Sequence, residues 1–205
     1  MIREQLKLYL ILETSLLQLP LADFIVQAVE GGVTAIQLRD KLSTAKDRYN
    51  TAKAIKPLLE GRDIPFIINN TADIAMAVGA HGVHLGGDDL PPAAIRAKFP
   101  DLLVGYSCNS SHDCDIAISS KVDYAGIGPA FHTMSKSDLR PVLGVDGVEE
   151  IAKMLGAIPS AAIGGIDERT APIIKSTDGV CVLSALCKSK TPYDLARDIR
   201  ACLQG

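Results

Sequence analysis

The sequence predicts an α/β protein, a small single-domain (β/α)₈ TIM barrel. Short apolar runs alternate with longer amphipathic runs along all 205 residues, a pattern typical of parallel βα units. Eight units of about 26 residues each leave room for one strand, one helix and two short connections. Aromatic residues are only 4% and Trp is absent, so the core is aliphatic, as in buried parallel sheets. An open doubly wound sheet is the rival, and no linker divides residues 1–205.

Each strand is predicted where a short apolar run is bounded by turn residues. In chain order the predicted strands are Lys7–Leu12, Thr34–Leu38, Pro65–Ile68, Gly82–Leu85, Leu102–Tyr106, Asp123–Ile127, Ser160–Ile163 and Gly179–Leu183. Each helix is predicted from a longer apolar period with start or stop signals, such as the Thr44 N-cap or the Gly31-Gly32 stop. The predicted helices are Leu21–Glu30, Thr44–Leu59, Ala72–Val78, one that opens at Pro91-Pro92, Asp113–Ser119, Val148–Leu155, Glu168–Lys175 and Pro192–Leu203. A long loop, Gly128–Val145, separates the sixth strand from its helix.

Composition and charge exclude several classes of protein. The net charge is −3, from 21 basic and 24 acidic residues, and without a Lys/Arg cluster no nucleic-acid partner is expected. No run approaches the roughly 18 apolar residues of a membrane span, so no membrane partner is expected either. Five cysteines without a CxxC pair argue against a disulfide framework or a zinc site and predict a reducing, cytoplasmic compartment. The sequence leaves homo-oligomerisation open.

Polar residues after the second strand are the first candidates for a functional site, because barrel active sites lie at the C-terminal strand ends. This strand ends in Gln37-Leu38-Arg39-Asp40-Lys41, and alternation puts Gln37, Arg39 and Lys41 on one side. Three hydrogen-bond donors on one side suit a diphosphate or another polyanion. The alternative is a surface pair between Arg39 and Asp40 with a solvated Lys41.

The next three strands add a candidate metal site and a candidate donor. Asn69-Asn70 follows the third strand and Gly86-Gly87-Asp88-Asp89 follows the fourth, so oxygen ligands for Mg²⁺ meet at one edge. The alternative is that an Asp caps the helix at Pro91. His84 lies inside the fourth strand and is expected to be a packed barrel residue, whereas Ser107, after the fifth, is a candidate donor to a ligand.

The last strands predict a second anion site. The loop after the sixth strand holds Thr133, Ser135 and Lys136, which suit a phosphate, although a solvated mobile loop is the alternative. Gly164-Gly165 after the seventh strand and Ser184 after the eighth match a common phosphate site of barrels, although the glycines could serve only a tight turn. Two anion sites and a metal at one barrel mouth favour a reaction between two phosphorylated small molecules over isomerisation of one.

The ordered motifs resemble those of the thiamine phosphate synthase (thiamine-phosphate pyrophosphorylase) family, whose relative is the thiazole tautomerase. The resemblance covers nearly the whole chain. It rests on Gln37–Lys41, Phe66–Asn70, Gly82–Gly86, Gly105–Ser107, Gly126–Thr133, Ala162–Ile166 and Leu183–Ala185.

The resemblance implies a Mg²⁺-dependent transferase of thiamine biosynthesis. It would join hydroxymethylpyrimidine diphosphate to thiazole phosphate, through a pyrimidine-methyl cation and without a protein nucleophile, giving thiamine phosphate and pyrophosphate. The catalytic residues would be Arg39, Lys41, Lys136 and Ser107. The pyrimidine diphosphate would be bound by Gln37, Arg39, Lys41, Asn69, Ser107 and Lys136. The thiazole phosphate would be bound by Thr133, Ser135, Gly165, Leu183 and Ser184, and Mg²⁺ by Asn70 and Asp89.

The chain departs from the family pattern at four positions. Asn70 stands where the family has Asp, Thr71 replaces a basic residue, Gly87 replaces Gln, and Asn109 stands where His is frequent. An amide oxygen can bind Mg²⁺ but brings no charge, so metal affinity should fall. Two alternatives therefore stay open beside the synthase: a thiazole tautomerase, and a diverged, non-catalytic protein that binds thiamine phosphate or a precursor.

Overall fold

The computed structural model describes residues 2–133 and 140–203 of the chain. In these ranges eight parallel strands form a closed barrel in the order of the chain, which confirms the predicted α/β barrel. The strands are β1 Leu8–Leu12, β2 Ala35–Leu38, β3 Phe66–Asn69, β4 Gly82–Leu85, β5 Leu103–Cys108, β6 Tyr124–Ile127, β7 Ser160–Ile163 and β8 Gly179–Val182. Pairing of β1 with both β2 and β8 closes the barrel, so the rival open sheet is wrong.

Helices lie between the strands and around the barrel. They are α1 Ile2–Gln5, α2 Leu21–Glu30, α3 Ala45–Ile55, α4 Ala72–Val78, α5 Pro92–Lys98, α6 Ser111–Ser119, α7 Gly144–Leu155, α8 Ser184–Cys187 and α9 Pro192–Cys202, with 3₁₀ turns at Thr14–Leu16, Lys56–Leu59 and Ala171–Ile173. Among the described residues, no helix is both long and apolar enough to cross a membrane.

Strand alternation divides the core into two layers. In β1, Leu8, Leu10 and Leu12 pack outward against the helices, while Tyr9 and Ile11 point into the barrel, as the two-residue period requires. The outer layer is mostly aliphatic, with Phe24, Phe66 and Tyr106 as its buried aromatic residues. The inner layer is mixed, because it consists of Leu6, Tyr9, Ile11, Ala35, Ile67, Tyr124, Ala161, Cys181 and Leu183.

One predicted helix and one predicted helix start are wrong, each for a local reason. The predicted helix Glu168–Lys175 is only the 3₁₀ turn Ala171–Ile173. Oδ1 of Asp167 accepts hydrogen bonds from the N–H groups of Arg169 and Thr170, and Pro172 follows, so local bonds replace helical ones. Helix α7 begins at Gly144, four residues before the predicted start. The predicted start was late because Gly144 and Gly147, in the first turn, are more typical of a loop. The short helices α1 and α8 were not predicted.

The Thr44 cap was predicted and is present, because its Oγ1 accepts a hydrogen bond from the N–H of Asp47. We expect Thr44→Ala to lower the free energy of unfolding by about 1 kcal/mol, since one helix N–H loses its partner. Thr191 precedes α9 without a side-chain cap bond, so the same substitution there is the matched control and should change stability by less than about 0.5 kcal/mol. Urea denaturation of both variants measures the difference, and equal losses would contradict a capping role for Thr44.

Candidate active site

A cavity of about 280 Å³ opens at the C-terminal ends of the strands. We call it the main cavity, and its wall combines residues that lie far apart in sequence. Seven of the sequence-predicted site residues line it: Arg39, Lys41, Asn69, Asn70, Asp89, Ser107 and Thr133. The closed barrel therefore brings together side chains from the ends of β2, β3, β4 and β5.

Arg39 is held in place by a carboxylate. Its side chain is only 6% exposed, and its Nη1 donates to Oε2 of Glu13 at 2.9 Å. Asp40 does not pair with Arg39, because its two carboxylate oxygens accept hydrogen bonds from the N–H and the hydroxyl of Thr14. The guanidinium is thus fixed at the cavity wall, while Lys41, two residues on, is exposed. This arrangement suits anion binding more than a surface pair between neighbours.

Gln37 lies in the barrel interior and is not among the residues that line the main cavity. It is 3% exposed, and its Nε2 donates to the hydroxyl of Tyr9 at 2.8 Å. Alternation along β2 puts Gln37 and Arg39 on the same side, as predicted. Because Gln37 lies deeper in the barrel than Arg39, its side chain contacts Tyr9.

The candidate metal region is formed by Asn70, Asp88 and Asp89. Asn70 has a positive φ of 65°, a conformation that Asn tolerates better than most residues. Oδ2 of Asp89 accepts from the N–H of Gly86 at 2.7 Å, and α5 begins at Pro92 after Pro91 with no side-chain cap, so neither Asp caps that helix. Burial raises the pKa of Asp89, while the Gly86 N–H and the charge of Lys41 act in the opposite direction.

Within residues 2–133 and 140–203, no group of three or more His, Cys, Asp or Glu side chains is placed to hold a metal ion. A metal at this position would therefore need the Asn70 amide oxygen and oxygens from a substrate or water besides the carboxylates. Mg²⁺ accepts such a shell, because it commonly keeps waters and binds substrate phosphates.

A second, smaller cavity adjoins the first. This side cavity is lined by residues that include Thr133, Gly165, Leu183 and Ser184, the described members of the predicted thiazole phosphate site. Ser135 and Lys136, also predicted for the substrates, lie outside the described residues. Pro129, Thr133 and Ile163 line both cavities, so two ligands could lie side by side across a shared wall.

The glycine pair after β7 is required by both conformation and packing. Gly164 and Gly165 have positive φ angles of 101° and 66°. A Cβ on Gly164 would lie 2.6 Å from Cβ of Pro129, and one on Gly165 would lie 2.7 Å from Cβ of Phe131. The turn thus fits closely against the loop after β6, which shapes the side cavity.

Sequence reasoning missed three charged residues at these cavities. Arg140 lines the main cavity, where its Nη1 donates to Oδ2 of Asp113 at 3.2 Å. Its Nη2 lies 3.1 Å from where a Cβ on Gly87 would stand, so the absence of a side chain at position 87 leaves room for the guanidinium. Glu13 and Lys188 line a neighbouring pocket together with Thr133, Gly165 and Ser184. Two signals were available, because Glu13 directly follows the predicted first strand and Arg140 lies in a long loop at the barrel mouth.

A closed parallel barrel with two adjoining cavities at the C-terminal strand ends is the architecture of a TIM-barrel enzyme that acts on small molecules. The chain matches the family model described as thiamine monophosphate synthase over residues 8–186. It belongs to that family.

Individual relatives agree with the family match. The chain is 37% identical over 188 residues to a thiamine-phosphate synthase of Albidiferax ferrireducens, covering 90% of this chain and 85% of that protein. It is 39% identical over 195 residues to a thiamine-phosphate synthase of Lysinibacillus sphaericus, covering 92% and 91%. The solved structure of a thiamine phosphate pyrophosphorylase from Pyrococcus furiosus superimposes with a TM-score of 0.90 at 32% identity, covering 100% of this chain and 98% of that one.

Proposed function

We propose that the protein is a thiamine phosphate synthase. It condenses hydroxymethylpyrimidine diphosphate with thiazole phosphate to give thiamine phosphate and pyrophosphate. The observation that carries the proposal is the wall shared by the two cavities, formed by Pro129, Thr133 and Ile163. A condensation needs both substrates bound with their reacting atoms in contact, whereas a tautomerase acts on one phosphorylated substrate and needs only one anion site.

The main cavity would bind the pyrimidine diphosphate. Arg39, Lys41 and Arg140 place positive charge along it, and charge on this wall stabilises the pyrophosphate as its C–O bond to the pyrimidine methylene breaks. The electron pair of that bond leaves with pyrophosphate. The thiazole nitrogen then forms the new C–N bond to the same methylene carbon, so no protein nucleophile takes part.

The side cavity would bind the thiazole phosphate. Thr133 and Ser184 supply hydroxyl groups, and Gly165 leaves its backbone accessible. Lys188 lies at the adjoining pocket and adds a cation that the sequence did not indicate. With the phosphate held here, the shared wall directs the ring toward the main cavity.

Asn70 and Asp89 would hold Mg²⁺, with Asp88 beside them. The donor set fits this ion, since Asn70, Asp88 and Asp89 present oxygen atoms at one side of the main cavity and Mg²⁺ accepts carboxylate, amide, phosphate and water oxygens. The metal would supply additional positive charge to the leaving pyrophosphate. Only one or two protein carboxylates would contribute, so a large part of the shell would come from the diphosphate.

A turnover assay tests the proposal. The purified protein is mixed with both substrates and Mg²⁺, and thiamine phosphate is measured by chromatography. We expect product that requires both substrates, and no product at high protein concentration would contradict the proposal. A parallel assay for aromatisation of the thiazole precursor tests the tautomerase, and calorimetric binding without turnover would favour a non-catalytic binding protein.

Asn70→Asp restores a carboxylate at the candidate metal position. We expect the Mg²⁺ concentration that gives half-maximal pyrophosphate binding to fall about tenfold, because an added negative charge attracts the cation. Asn70→Gly is the control, since Gly tolerates the positive φ but offers no ligand, and it should raise that concentration. Identical Mg²⁺ titrations of all three proteins would show that Asn70 does not contact the metal.

Four further statements stay predictions. We propose that residues 1–205 form one domain, supported by α9, which packs back against α2 and β1. A cytoplasmic location and the absence of a nucleic-acid partner rest on composition alone. Homo-oligomerisation is tested by light scattering.

A further inference from the structure

A chain of buried hydrogen bonds crosses the inside of the barrel and ends at the main cavity. Nε2 of Gln37 donates to the hydroxyl of Tyr9 at 2.8 Å, and that hydroxyl lies 2.8 Å from the hydroxyl of Tyr124. The Tyr124 hydroxyl lies 3.2 Å from Nδ1 of His84, and Nε2 of His84 lies 3.0 Å from Oγ of Ser107. Of the five residues, His84 and Ser107 line the main cavity.

The contact between His84 and Ser107, taken alone, has the geometry of a base and a serine nucleophile. In such a pair the serine hydroxyl donates its proton to Nε2. The opposite direction, with Nε2–H donating to Oγ, would leave the serine proton available to a ligand. The tautomer of His84 distinguishes the two cases, because a neutral imidazole carries its proton on only one nitrogen.

The far end of the chain favours one of these two directions. The amide nitrogen of Gln37 can only donate, so the Tyr9 oxygen accepts and the Tyr9 proton is available for the Tyr124 oxygen at 2.8 Å. Tyr124 then has its own proton to give to Nδ1 of His84. With Nδ1 as acceptor, the imidazole proton is on Nε2 and points to Oγ of Ser107. In this direction each of the four contacts pairs one donor with one acceptor, and the Ser107 proton is left for a ligand.

Burial keeps the tyrosines protonated. Tyr9 and Tyr124 are each 1% exposed, and this burial raises the pKa of both phenols far above the ordinary value. Both phenols therefore keep their protons near neutral pH and can donate hydrogen bonds.

Two glycines provide the space that the chain needs. A Cβ on Gly105 would lie 2.5 Å from Nδ1 of His84 and 2.5 Å from the Tyr124 hydroxyl. A Cβ on Gly126 would lie 3.3 Å from Cε1 of His84. The strands β5 and β6 thus lack side chains where the imidazole meets the phenol, which indicates that the contact is part of the packing of the barrel.

We propose that Tyr9, Tyr124 and His84 are positioning residues, which hold the Ser107 hydroxyl as a hydrogen-bond donor to the anion in the main cavity. Ser107 is then a binding group and not a nucleophile. The identity of the anion as a diphosphate rests on the proposed function, whereas the direction of the hydrogen bonds does not.

The first test is the tautomer of His84, measured by NMR on protein with ¹⁵N-labelled histidine. The signal is assigned by its loss in His84→Gln. We expect a protonated Nε2 and an unprotonated Nδ1 in the wild type. Tyr124→Phe should shift the Nδ1 resonance, whereas Tyr193→Phe, at an exposed position of α9, should not. A protonated Nδ1, or no shift in Tyr124→Phe, would overturn the proposal.

The second test is a double-mutant cycle on the affinity for inorganic pyrophosphate with Mg²⁺, measured by calorimetry. We expect Ser107→Ala and Tyr124→Phe each to weaken binding about three- to tenfold, the range of a single hydrogen bond. Because Tyr124 acts through Ser107, the double variant should bind as weakly as Ser107→Ala alone. Additive losses, or no loss in Tyr124→Phe, would contradict the proposal.

Turnover separates this inference from the proposed function. If the wild type forms thiamine phosphate, Tyr124→Phe should lower kcat more than it changes KM, and His84→Gln, whose amide can still donate to Ser107, should retain more activity than His84→Leu. Equal activity of the two His84 variants would contradict the donor role. If the wild type forms no product, the proposed function fails, and the tautomer and the pyrophosphate affinities still decide the direction of the chain.

Discussion

Arg39→Ala is expected to lower kcat/KM for thiamine phosphate formation by about 10²–10³-fold, the usual loss when one preorganised charged donor is removed. The Arg39 side chain is 6% exposed and is fixed by Glu13 at 2.9 Å, so it needs little reorganisation to bind an anion. Its removal also leaves the Glu13 carboxylate without this partner near the main cavity, where it repels a diphosphate. Steady-state kinetics with the pyrimidine diphosphate as varied substrate measures the loss.

Three further variants test the origin of that effect. Arg39→Lys keeps the charge but loses the planar fork, so it should recover only part of the activity. Glu13→Gln combined with Arg39→Ala removes the unpaired carboxylate and should be more active than Arg39→Ala alone. Arg62→Ala, at an exposed position outside both cavities, is the control and should match the wild type. An Arg39→Ala enzyme with near-normal kinetics would exclude Arg39 from substrate binding.

Gly105→Ala is expected to lower the free energy of unfolding by about 3 kcal/mol, at the upper end of the usual cost of an added methyl group in a packed core. The new Cβ would lie 2.5 Å from Nδ1 of His84 and from the Tyr124 hydroxyl, and closer still to Cζ of Tyr124. Both side chains are buried in the barrel, so neither can move away without displacing others.

Denaturation by urea or heat measures this loss, with Gly86→Ala as the matched control. A Cβ on Gly86 has one neighbour, Oδ2 of Asp89 at 3.6 Å, which is an ordinary contact. The control should change stability by less than about 0.5 kcal/mol. If both variants unfold at the same denaturant concentration, the close packing inferred at Gly105 is contradicted.

Much of the fold was predictable because it depends on local pattern. The alternation of short apolar and long amphipathic runs predicted all eight strands, and the observed strands differ from the predicted ones by a few residues at their ends. The Thr44 cap was likewise readable from one residue and its neighbours. The helix at Glu168–Lys175 was wrong because Asp167 and Pro172 form a turn that overrides the helical period.

The candidate site was predictable in part for the same reason. Strand ends could be located, so Arg39, Asn69, Asn70, Asp89 and Ser107 were found as polar residues at the barrel mouth. The side chains to which the charged residues of the site are hydrogen-bonded could not be identified in this way. Glu13, which follows β1, contacts Arg39, and Asp113 of α6 contacts Arg140, a residue that was itself missed; each contact joins residues 26 or more positions apart.

The sequence by itself determined the number and order of the βα units and the strand ends that carry polar residues, because both follow from hydrophobic period and turn chemistry within one segment. Only the tertiary structure decided what those polar side chains face. It turned Gln37 toward Tyr9, and it placed His84 between Tyr124 and Ser107. The physical reason is that hydrogen bonds across the barrel depend on the register between strands and on the space left by Gly105 and Gly126, which exist only once the barrel has closed.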